Sequence, residues 1–188
     1  MKSIKFFIAL AFTAVIFSSC SSDDSNPELV NEEEVITDVT ITLTDNTGNA
    51  TTYTYTDPSY RTDSYVEPEI VLEKGKTYTA SMNFYNNSDP SDPETITDEI
   101  KDEKDDHFLQ FAFTGIDVSV ARSDNDVIDD NGIKIGLITN WTGNATGEGS
   151  STITLIHQPT TKDDTTDPKG SHTGGETDAE VTFKTKIE

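Results

Sequence analysis

The sequence predicts an all-β protein, an antiparallel β-sandwich with one short acidic helix. Three observations predict it. Runs rich in Thr, Val, Ile, Tyr and Phe alternate with a period of two, which suits a pleated, half-buried surface better than a helix. Clusters of Gly, Asn, Asp and Pro separate these runs at short intervals, as turns between strands require. Only one segment has helical spacing. Eight or nine short strands joined by polar turns then give two packed antiparallel sheets.

Within residues 35–44, Val39, Ile41 and Leu43 fall on one face and Thr40, Thr42 and Thr44 on the other. Residues 51–56 alternate in the same way through Tyr53 and Tyr55, and 46–49 supply the turn, so the two runs read as a hairpin. Residues 68–85 hold an apolar strand, a turn at Gly75 that calls for positive φ, and a second strand with Tyr78, Ala80, Met82 and Phe84 on one face. The turn sequence Lys74-Gly75-Lys76-Thr77-Tyr78 resembles that of many bacterial immunoglobulin-like surface domains, which implies an immunoglobulin-like sandwich. Further strands are expected at 107–114, 116–121, 133–140, 152–157 and 180–187. Residues 94–104 contain good helix formers, and Ile96 and Ile100 sit four apart, so a helix of two or three turns is expected to bridge two strands.

The amino terminus reads differently. Lys2 and Lys5 precede an apolar stretch, Phe6–Phe17, that is twelve residues long and ends in Ser18-Ser19. A span across ~30 Å of hydrocarbon takes about 20 residues, so residues 1–19 are expected to be a secretory signal rather than a permanent span. Cys20, the only cysteine, follows at once. The segment resembles a bacterial lipobox, with Phe17 where Leu is preferred, and this implies lipidation of Cys20 and attachment to a membrane. Ser22-Asp23-Asp24 resembles the signal that sends Bacteroidota lipoproteins to the outer face of the outer membrane. Residues 20–33 then form an acidic, flexible tether, and residues 34–188 a single domain large enough to bury a core without disulfides.

The chain holds 35 acids against 13 Lys and Arg, a formal charge of −22. Lys2 and Lys5 are the only charges in the signal, so its removal leaves −24. Such a surface repels polyphosphates, and nucleic-acid partners are excluded. The oligomeric state is left open.

The Cys20-Ser-Ser-Asp-Asp start, Asn31-Glu-Glu-Glu-Val-Ile-Thr, the acidic helix running into Asp106-His107-Phe, Ile138-Thr-Asn-Trp141, Leu155-Ile-His-Gln-Pro159 and Gly174-Gly-Glu-Thr-Asp-Ala-Glu-Val-Thr-Phe183 together resemble a family of small flavobacterial lipoproteins. Its members commonly carry the label "type 1 periplasmic binding fold superfamily protein". That label names a two-lobed α/β fold of βαβ units, whereas this chain has no βαβ alternation and about half the length of two lobes. The resemblance implies no established activity. Lipoproteins of this kind often accompany outer-membrane nutrient receptors, which implies a TonB-dependent receptor as partner.

Three histidines are present. His107 opens one predicted strand and His157 ends another, so convergence of the two at one rim, with Asp106 or Glu176, or with Asp105, would suit zinc or another divalent transition ion. The spacing is not in itself a metal motif, and hydrogen-bonding roles at two strand ends are the simpler account. His172 lies in a Gly/Ser loop. The acidic run 124–132 fails the D-x-D-x-D-G register of a calcium loop at Ile128 and reads as a hairpin turn closed by Asn131-Gly132, between 118–121 and 133–135. Asp164-Thr165-Thr166 resembles a short O-glycosylation acceptor of Bacteroidota secreted proteins, with Thr165 as the modified residue. Tyr53, Tyr55, Tyr60, Tyr65, Tyr85 and Trp141 are expected mainly in the core or in cross-strand pairs, with a sugar or peptide surface as the alternative. No nucleophile elbow, His-Glu-x-x-His pair or phosphate-cradling glycine loop is present, so no enzyme and no organic cofactor are expected. The expected function is a surface binding or accessory lipoprotein; the alternative is a structural or adhesive one without a small ligand.

Overall fold

The computed structural model describes residues 34–188. The signal 1–19, Cys20 and the tether 20–33 lie outside the described residues. Among the described residues no helix is long and apolar enough to cross a membrane.

The protein is mostly β, with antiparallel sheets and one α-helix. The 35–56 region forms the expected hairpin: β1 (Asp38–Thr44) pairs antiparallel with β2 (Ala50–Thr56). Alternation decides the faces. Val39, Ile41 and Leu43 are buried, and the threonines between them face outward, where Thr42 and Thr52 share a hydroxyl hydrogen bond of 2.8 Å. The same cross-strand pairing joins Thr77 to Thr142 and Thr152 to Thr182, so threonine supplies both strand propensity and the links across the outer surfaces.

β3 (Glu69–Leu72) and β4 (Thr77–Asn86) flank Gly75, whose φ is 77°. They do not pair with each other. β4 lies beside β1, while β3 runs parallel to the last strand, β12 (Glu176–Ile187), so the Gly75 turn carries the chain between sheets and one strand pair is parallel. The chain's own end secures this crossing: Lys74 N–H donates to the Glu188 carbonyl, and Glu188 N–H to that of Leu72. β5 (Glu94–Thr95) adds to β4 and leads into α1 (Ile96–Asp102). Ile96 and Ile100 are buried as expected, and the Thr97 hydroxyl donates to the Phe84 carbonyl and accepts from the Phe84 N–H, holding α1 to β4.

β6 (His107–Thr114) and β7 (Asp117–Arg122) fall where they are expected, but the strand predicted at 133–140 is displaced. β8 runs Ile138–Ala145 and pairs with β7 directly, so 123–137 forms an excursion. Asp126 ends it: its carboxylate accepts from the N–H groups of Gly136 and Ile138, and Gly136 adopts φ 103°. Asn131-Gly132 turns within the excursion and does not join β7 to residues 133–135. β9 (Gly147–His157) and β12 are longer than expected, and the short pair β10 (Thr161–Asp163) and β11 (Ser171–Thr173) has no clear alternation in the sequence.

The main sheets have the orders β2-β1-β4-β8-β7 and β3-β12-β9-β6. One apolar core draws on both. Trp141 of β8 is fully buried, with Phe111 and Phe113 of β6 edge-on to its ring at 5.9 and 5.0 Å, and Tyr55 of β2 meets Phe183 of β12. Full burial of a phenylalanine such as Phe111 or Phe183 contributes about 1.5–3 kcal/mol.

Candidate metal centre at a strand-end histidine pair

His107 and His157 are direct partners across β6 and β9, and their rings stack at 5.0 Å with planes 9° apart. Convergence of the two histidines at one rim, expected from the sequence, is therefore found. Their carboxylate neighbours differ from those expected. Asp106 and Glu176 are both exposed. Asp106 uses its carbonyl to accept the Gln158 N–H, and Asp105 is engaged by the Asp130 N–H. The carboxylates that approach the pair belong to Glu34, Glu103 and Asp178.

Each arrives by its own route. α1 ends in a turn in which the Asp106 N–H donates to the Glu103 carbonyl; that carbonyl also lies 3.2 Å from His107 Nδ1. With Nδ1 donating there, Nε2 keeps its lone pair and points away from the helix. Asp178 sits at a β-bulge, since the β12–β9 register slips between Thr177 and Ala179. A bulge re-aims the extra side chain, and the Asp178 carboxylate comes to 3.6 Å from His107 Nε2 and 3.7 Å from His157 Nδ1. Glu34 enters ahead of β1 and brings Oε1 to 4.0 Å from His107 Nε2.

The cluster is dry. The His107, Asp178 and Glu34 side chains are 1, 5 and 11 % exposed. Asp178 Oδ2 and Glu34 Oε2 are buried without a hydrogen-bond partner, which native folds seldom allow. Burial is the main force raising the Glu34 carboxyl from 4.5 to about 7; His107 pulls it back, and Glu99, Asp178 and Glu103 push it further. For His107, burial opposes the charged ring, but Asp178, the Glu103 carbonyl and Glu34 outweigh it and raise its pKa above 6.5.

These atoms suit a divalent ion. Glu103, His107 and His157 each bring one ligand atom within 4.8 Å of the others. Zinc with bonds of about 2.0–2.1 Å spans ligand-to-ligand edges of about 3.3–3.4 Å, close to the 3.6 and 4.0 Å around His107 Nε2. Stacked rings confine their lone pairs to two nearly parallel planes, so coordination of one ion by both histidines involves rotation of one ring.

The other sequence candidates take structural roles. His172 Nδ1 lies 3.0 Å from the Gly174 carbonyl in a turn. In the 124–132 run, Asp129 accepts from the Asn131 and Ile133 N–H groups and from Lys162 Nζ, which also donates to the carbonyls of Lys104 and Asp105. Lys162 thus neutralises the buried Asp129 carboxylate at 3.2 Å. Thr165 is exposed in the loop between β10 and β11. Trp141 is core, and its indole N–H donates to Thr139.

No protein-family model, curated protein or solved structure matches this chain.

Proposed function

We propose that this protein is a lipid-anchored outer-membrane binding protein with an immunoglobulin-like sandwich body that holds a divalent transition-metal ion, zinc by its donor set, at His107, His157, Asp178 and Glu34 with Glu103 adjoining. One observation carries the metal reading: Asp178 Oδ2 is buried without a partner 3.6 Å from a histidine nitrogen whose lone pair is free of the backbone, and Glu34, whose Oε2 is also buried without a partner, brings Oε1 to 4.0 Å from the same nitrogen. An ion supplies the missing partner to both. The anchoring and the accessory role beside a nutrient receptor rest on the Cys20 segment and on the family resemblance. A tethered metal site would present its ion to such a receptor.

Calorimetric titration of the full-length protein in detergent with zinc chloride tests this. One-to-one binding is expected. The His107→Ala/His157→Ala double variant should abolish it, and Asp178→Asn should weaken it by more than the roughly 10–100-fold typical of groups that only support a ligand. Asp106→Asn and Glu176→Gln should bind like the parent. No heat from the parent, or unaltered binding by the double variant, overturns the reading.

A further inference from the structure

We propose a second, independent site: a cleft for a neutral oligosaccharide on the outer face beside β1 and β2, built on Tyr60, Arg61 and Tyr65. Tyr60 follows Pro58 in a single helical turn that is pinned by the Asp57 carboxylate on the Ser59 N–H, and the residue is 44 % exposed. Arg61 Nε donates to the Thr56 carbonyl at 2.7 Å, and the guanidinium lies 4.3 Å from the Tyr65 ring centre and 5.1 Å from that of Tyr55. Two rings and one backbone bond thereby fix its plane. Among the described residues its terminal nitrogens make no hydrogen bond and it joins no ion pair, although the chain has 35 acids.

These side chains line a cavity of about 300 Å³. A second cavity of about 400 Å³, walled by Tyr85, shares Asp38 and Asn87 with the first. Each is at least the ~300 Å³ at which small-molecule clefts begin, and together they accommodate more than one sugar ring. The Asp38 carboxylate is held by the Thr37 and Thr56 hydroxyls and by the Asn87 amide, so the polar wall is preorganised.

The chemistry selects the ligand. Aromatic faces stack on the apolar C–H face of a sugar ring, and planar guanidinium, carboxylate and amide groups match its neighbouring hydroxyls. The Tyr65 ring lines the cavity, while its hydroxyl is buried without a partner. A formal charge of −22 repels polyuronates, which makes the ligand neutral.

Affinity electrophoresis of the full-length protein in detergent, through gels containing β-glucan, xylan, mannan or polygalacturonate, tests the site. Retardation by at least one neutral polymer is expected. Tyr60→Ala and Arg61→Ala should each weaken it roughly tenfold or more, as truncating an aromatic or arginine anchor does. Tyr65→Phe, which removes only the buried hydroxyl and keeps the ring under Arg61, should retain binding and leave the circular dichroism spectrum unchanged. No retardation in any neutral polymer, retardation by polygalacturonate alone, or full retention by the Tyr60 and Arg61 variants overturns the proposal.

Discussion

Asp45 closes the β1–β2 hairpin by occupying every site around its carboxylate. Oδ1 accepts from the Thr47 hydroxyl and from the N–H groups of Thr47 and Asn49, Oδ2 from the Asn49 amide, and Lys76 lies 3.1 Å away. The Thr47 hydroxyl is the largest of the influences that hold its pKa well below the ordinary 3.8. A depressed carboxylate pKa contributes stability that is present above the unfolded value and is lost as pH falls through the folded one. Asp45→Asn should therefore lower the melting midpoint at neutral pH and flatten the loss of stability below about pH 4, near the unfolded aspartate value. Melting curves across that range check it; parallel curves for the two proteins would show that the Asp45 charge plays no part. At this scale the candidate centre was half legible. His107 and His157 stood out because histidine is scarce, whereas Asp178, Glu34 and Glu103 are three acids among 35 and acquire meaning only through proximity.

Elements were legible wherever alternation was strict. β1, β2 and β4 follow the period-two pattern, and Ile96 and Ile100 announced α1. The seven-residue helix is too short to stand alone, so packing must hold it. Ile100 is fully buried, and Ile100→Ala should cost about 2–5 kcal/mol, against less than about 0.5 kcal/mol for Lys101→Ala on the exposed side. Urea denaturation of the two variants distinguishes them, and equal midpoints would mean that α1 is dispensable to the core. Misplaced elements share a cause. The 133–140 strand failed because Ile133 and Ile135 continue the alternation of β8 in sequence, while Asp126, ten residues away, captures the Gly136 and Ile138 N–H groups and breaks the ladder. The bulge at Asp178 likewise went unseen, because it lies ahead of the strand expected at 180–187.

For the whole molecule, the amino-terminal segment carries the prediction about location. Cys20→Ser should remove the acylation site, and the variant should leave the membrane fraction and fail to take up radiolabelled palmitate in cells, while the parent stays with the membranes and takes up the label. Label in the variant, or a parent that is already free of membranes, would remove the anchor from the account. By itself the sequence determined the β class, the inward faces of most strands, the helix, the acidic surface and the two histidines. These follow from side-chain type and a two-residue backbone period, which act within a few residues. Only the tertiary structure decided that β3 joins β12 in parallel, that Gly75 bridges two sheets, and that Glu34 and Asp178 close on His107 across 73 and 71 positions of chain. Pairing and enclosure are settled by which distant surfaces exclude water together, and no local stretch of residues encodes that choice.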